Sequence, residues 1–188
     1  MSLDIAVVFL SGIFIYQPII NFGFVPSSSE GMTRGPAKAL GYSLTGGILI
    51  AAYSFSVWLL YFFILEPLKL LPLALPLMIL LMWGWYSLIK LSLQKFSMFR
   101  DHLPFYFLNI AVLGSGFILI HSTPVGLPLA FARSIGIAVG FLMTNMLVSF
   151  FQEKMGNLAF PNIMQGWPLY FILCSIFWLS YYGISLLF

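Results

Sequence analysis

Residues 39–65 read ALGYSLTGGILIAAYSFSVWLLYFFIL, a run without one charged side chain. The hydrocarbon core of a bilayer is about 30 Å thick and is crossed by roughly 20 apolar residues in α-helical form, so this stretch spans it with length to spare. A helix apolar on every face has no wet side and is stable only inside a large core or in lipid. Composition decides between these. Of 188 residues, 61% are hydrophobic and 7% charged, and the mean hydropathy is +1.03, leaving too few polar groups to cover a water-facing surface. The fold class follows: an all-α polytopic membrane protein.

Working outward, the same criterion marks six transmembrane helices, at approximately 3–24, 39–65, 68–93, 103–121, 128–151 and 166–187. Short polar or proline-bearing links join them, so residues 1–188 read as a single transmembrane domain. Met1-Ser-Leu-Asp carries an acid where a secretory signal has its basic region, and no small-residue cleavage site follows; the first span is expected to be retained.

Arg34, Lys38, Lys90, Lys95, Arg100 and Lys154 lie by loops one, three and five, whereas Lys69 and Arg133 lie by loops two and four. The positive-inside rule then predicts cytoplasmic odd loops and both termini non-cytoplasmic. The net charge of +3 thus reports topology and no nucleic-acid surface. Lys38-Ala-Leu-Gly41 opens the second span and Arg133-Ser-Ile-Gly136 the fifth. With three spans per half, that echo predicts a 3+3 inverted repeat. Small residues recur at four-residue spacing as Ser43, Gly47 and Ala51 and again as Gly136, Gly140 and Thr144, a pattern for close helix packing or for lining a conduit.

Polar residues inside the spans are few. Gln17, Asn21, Asn109, Thr144 and Asn145 form a candidate polar midplane patch, with hydrogen bonds between helices as its ordinary role and ion or solute contact as the alternative. Gly114-Ser-Gly116 would tolerate a broken or re-entrant fourth helix, and the first span shares that expectation. No carboxylate lies near a span centre, and Asp4 and Glu66 read as interfacial. His102 and His121 flank the fourth span about 28 Å apart at 1.5 Å per residue, too far to share a metal. Ser115 has no histidine in any later span to serve as its base, which argues against a serine hydrolase. The single cysteine, Cys174, excludes an intrachain disulfide and reads as a small buried hydrophobe. No phosphate-binding loop or zinc spacing occurs.

Leu103-Pro104, Asn109 and Ala111-Val-Leu-Gly114 together resemble the fourth span of the RnfA and NqrE subunits of bacterial Rnf and Na⁺-translocating NADH:quinone oxidoreductase complexes. The resemblance extends to chain length, the six spans, the inverted halves and Gln152-Glu-Lys154 in the fifth loop. In that family a cysteine follows the asparagine, and the first span ends in Gly-x-Cys-Pro; here the positions hold Ile110 and, within Gly23-Phe-Val-Pro26, Val25. The family's first-span asparagine pair is also missing, with Tyr16, Gln17 and Asn21 nearby.

The resemblance implies a bacterial inner-membrane, multi-pass subunit packed through its first and fourth spans against an RnfE- or NqrD-like partner, within a larger complex. In the family, two cysteines from each of these subunits hold a two-iron two-sulfur cluster. Val25 and Ile110 offer no thiolate, so the cluster is expected to be absent from this chain, and no other cofactor, metal or catalytic residue is expected. The expected role is a cluster-less scaffold or conduit, with no catalysis by the chain alone. A different class also has about six spans at this length: the solute-binding S-components of energy-coupling-factor transporters. Those carry an Ala-x-x-x-Ala docking face on the first span, which Leu3–Phe24 lacks.

Overall fold

The computed structural model describes residues 2–16, 36–93, 110–121, 126–156, 168, 171–173, 175–176 and 179–180. All regular structure among them is helical: α1 (Ser2–Phe14), α2 (Pro36–Leu60) running into a π-helical turn (Tyr61–Leu65), a 3₁₀ turn (Leu71–Leu73), α3 (Ala74–Leu93), α4 (Ile110–His121) and α5 (Leu127–Gly156). Three helical stretches are long and apolar enough to cross a membrane, Leu40–Leu65, Ala74–Ser92 and Leu127–Phe151; Asp4–Phe14 and Ala111–His121 are shorter apolar helices. The all-α membrane class therefore stands. Residues 17–24, 103–109 and most of 166–187 of the expected first, fourth and sixth spans lie outside the described residues.

Local chemistry sets the ends. After Phe14, the amides of Ile15 and Tyr16 both donate to the Ser11 carbonyl, at 2.8 and 3.0 Å, so the last turn of α1 opens shortly before Pro18. A proline disfavours helical geometry in the residue before it. Pro67 acts similarly on α2, because its ring would meet the carbonyl of Phe63 and it has no amide to donate. The chain widens one step earlier, with the Glu66 N–H donating five residues back to the Tyr61 carbonyl at 2.9 Å. The end is then sealed by a Schellman cap. Leu70 N–H donates to Leu65 O at 3.0 Å, Lys69 N–H to Glu66 O at 3.2 Å, and Lys69 takes the left-handed φ of 54°. The third helix consequently starts at Ala74, six residues later than hydropathy alone places it.

The most buried helices are α2, α4 and α5. α5 packs on both α1 and α2, and α2 also packs on α3 and α4. Tyr42, Leu49, Ile50, Tyr53, Leu119 and Phe141 are fully enclosed in the core. Lipid gives apolar side chains no reason to leave it, so contact between helices rests on close packing and hydrogen bonds. Both are present. A Cβ on Gly12 would stand 3.0 Å from Gly136 Cα and 2.8 Å from Arg133 O, and one on Gly136 would overlap Phe9 O, so α1 and α5 meet backbone to backbone. Tyr53 OH donates to Met78 O at 3.3 Å and Trp85 Nε1 to Ser56 Oγ at 3.0 Å, tying α3 to α2. The rest of α3 turns Leu75, Leu80, Trp83, Leu88 and Leu91 outward.

Candidate functional site: a polar seam between α2 and α5

Two contacts fix how α2 and α5 run. A Cβ on Gly47 would lie 3.5 Å from Ala138 O, and the Phe55 ring meets the Phe131 ring edge-on at 5.4 Å. Moving forward along α2 moves backward along α5, so the helices are antiparallel and their register can be read directly. Ser43 stands one turn before Gly47 on the same row of α2, and Asn145 stands two turns after Ala138 on the same row of α5. Carried along, the register brings Ser43 to the level of Leu142 and Asn145 to that of Leu40. The two polar side chains therefore share one end of the seam, separated along the axis by about one turn.

Ser43 and Asn145 are both 0% exposed. The Oγ of Ser43 and both the Oδ1 and Nδ2 of Asn145 have no hydrogen-bond partner among the described residues. Other buried hydroxyls follow a different habit, donating to a carbonyl of their own helix: Thr45 to Gly41 at 2.7 Å, Ser115 to Val112 at 2.6 Å and Ser134 to Phe131 at 2.8 Å. Thr144, next to Asn145, is buried, as is Ser149 one turn on.

Of the expected midplane patch, Thr144 and Asn145 thus stand on buried α5, while Gln17, Asn21 and Asn109 lie outside the described residues. Val25 also lies outside them; Ile110 is the first residue of α4. Ser43, by contrast, reads in the sequence only as part of a small-residue ridge, and nothing in its spacing marks its hydroxyl as polar contact surface. Arg133 stands near the start of its span, on the loop-four side, as expected. It sits on α5 inside the membrane-spanning stretch, 8% exposed, with its guanidinium carbon 4.7 Å from the centroid of the Tyr16 ring.

The chemistry available is neutral at the Ser43–Asn145 end. The side chains of Asp4, Glu66, Lys69, Lys90, Glu153 and Lys154 are exposed. Among the described residues no three His, Cys, Asp or Glu gather to hold a metal. His121 is exposed and folds back on its own helix, Nδ1 3.0 Å from Phe117 O, so it supplies no base to the buried Ser115. The Ser43 hydroxyl and the Asn145 amide can hold a small polar species by hydrogen bonds.

No family model matches the sequence. Three relatives align over most of it. The chain is 26% identical over 160 residues to the A component of the ion-translocating oxidoreductase complex of Rhodobacter capsulatus, covering 82% of each chain. It is 24% identical over 160 residues to the protein of the same description from Cereibacter sphaeroides, again 82% of each. Over 185 residues and 95% of each chain, it is 23% identical to the A component of the Na(+)-translocating ferredoxin:NAD(+) oxidoreductase complex of Acetobacterium woodii.

Proposed function

We propose that this chain is an integral membrane subunit of an ion-translocating electron-transport complex, equivalent in place to the A component of its relatives, and that it serves as a cluster-less scaffold or conduit. One observation carries the reading: the similarity to those proteins runs through 82–95% of the chain, membrane helices and links alike, at 23–26% identity. The S-component reading has no comparable support.

Helix packing supports the 3+3 inverted repeat as the architecture of this subunit. Exchange of the halves turns α1 into α4 and α2 into α5. The α1–α5 contact then becomes an α4–α2 contact, and both exist. The α2–α5 pair maps onto itself and is antiparallel, as a twofold axis in the membrane plane requires. Matching Lys38 with Arg133 and Gly41 with Gly136 pairs Thr45 with Gly140, and on the ladder through Gly47–Ala138 these two are level, so a pseudo-twofold axis would pass between them.

The cluster of the family does not fit the donor set here. Iron–sulfur centres are held by thiolates, and Val25 and Ile110 present hydrocarbon, so no electron-transfer step is routed through this chain. Electrons in the complex would pass over cofactors held by neighbours, including an RnfE- or NqrD-like membrane partner. The membrane is the bacterial inner membrane, with both termini non-cytoplasmic, as the loop charges indicate.

Purification of the tagged chain from native membranes in mild detergent tests the reading. Co-isolation of the other subunits of a redox complex is the expected result, with no stoichiometric iron or labile sulfide in the chain purified alone. Recovery of a lone polypeptide carrying a small solute would overturn it.

A further inference from the structure

We infer that the α2–α5 seam is wet at one end: ordered water, held by the Ser43 hydroxyl and the Asn145 amide, sits between the two central helices inside the membrane-spanning region. The inference stands on the geometry of the seam and does not need the proposed place in a redox complex.

Three polar atoms on facing rows, Ser43 Oγ, Asn145 Oδ1 and Asn145 Nδ2, are enclosed without a hydrogen-bond partner among the described residues. In a low-dielectric interior an unpaired amide is costly, and natural structures meet such groups with protein or with buried water, which makes about three hydrogen bonds each. Glycines flank the two side chains along α2. Gly41 is level with Asn145 to within a residue, and Gly46 and Gly47 follow Ser43 by one turn.

The mixture of groups selects the ligand. Nδ2 can only donate, Oδ1 can only accept, and Oγ does either. A bare cation would engage the oxygens and leave the Nδ2 hydrogens unpaired. Water donates and accepts, and satisfies all three. Ser43 lies five residues beyond Lys38 and Asn145 nine before Lys154, so on the orientation given by the loop charges this water is roughly 8–13 Å beneath the cytoplasmic end of the helices.

Cysteine accessibility tests this in the full chain in native membranes. With Cys174→Ala removing the single cysteine, Ser43→Cys and Asn145→Cys are each exposed to N-ethylmaleimide, beside Ile50→Cys, whose position is equally buried on α2. Thiolate is the reacting form and needs solvation, so both seam positions should label at least about tenfold faster than position 50. Equal, slow labelling at all three overturns the proposal. Ser43→Cys, nearly isosteric, decides the matter if Asn145→Cys does not accumulate. Replacing sodium with choline should leave the rates unchanged; protection by sodium would assign the site to a cation and overturn water. Asn145→Leu gives a second readout. It should lower the melting temperature in detergent, whereas a rise would mean that the amide is dry and merely costly.

Discussion

The guanidinium of Arg133 lies 4.7 Å from the centre of the Tyr16 ring, joining the end of α1 to α5 beside the point where Gly12 and Gly136 touch. A charge within a membrane-spanning helix needs such company, and an aromatic face supplies it without a counter-charge. Tyr16→Phe keeps the ring and should melt close to the parent, whereas Tyr16→Leu should lose about 1–2 kcal/mol, read from thermal unfolding in detergent.

Gly12→Ala and Gly136→Ala should be severe. Each adds a methyl that meets backbone, which cannot rotate away, and overpacking of this kind costs about 1–3 kcal/mol or displaces α1 altogether. Gly84→Ala is the matched control. Nothing lies within 4 Å of a Cβ there, so the outward face of α3 should gain helix stability by about 0.5–1 kcal/mol. Parallel melts of the three variants check both halves of the expectation.

Lys69 closes the cap of α2 in a backbone conformation suited to glycine, with φ of 54°. Lys69→Gly removes the Cβ conflict while keeping both cap hydrogen bonds, and should raise stability by about 1 kcal/mol. Lys69→Val, branched at the same carbon, should lower it. Because Lys69 is exposed, lost contacts contribute little to either change.

The hydrogen bond from Trp85 to Ser56 is open to a double-mutant cycle. Trp85→Phe and Ser56→Ala should each destabilise, and together they should cost less than their sum by about 0.6 kcal/mol, the usual coupling between membrane helices. Additive losses would mean that the 3.0 Å contact contributes nothing net.

Much of this is legible in the sequence where one local property decides the outcome. The uncharged run through 39–65 is a membrane helix because no arrangement in water could cover it, and Pro67 ends it because a proline ring needs space wherever it sits. Gly47 and Gly136 read as contact points and are. Where the outcome depends on a neighbour, one chain position says less. Arg133 reads as opening its span beside loop four, where a lone arginine ordinarily reaches for water; its burial is visible only in the fold, where the Tyr16 ring beside it comes from far away in the chain. Asn145 stands out as an amide among hydrocarbons, but Ser43 does not, since a serine in a helix ordinarily bonds its own backbone and only the folded seam reveals one that does not. The start of α3 differs from the hydropathy reading for a simpler reason: the cap at Lys69 and the proline at Pro72 are compatible with an apolar count and not with an unbroken helix from residue 68.

The α1–α5 contact carries a consequence for biogenesis. α1 is the first of these helices to leave the ribosome, yet the backbone it fits, around Gly136, is synthesised only after three intervening helices. Until then its glycine face lacks the mate it has among the described helices. Assembly of this protein therefore waits on its second half, and a chain stalled before α5 presents the insertion machinery and membrane proteases with an unmated helix, a timing signal by which incomplete copies can be told from finished ones.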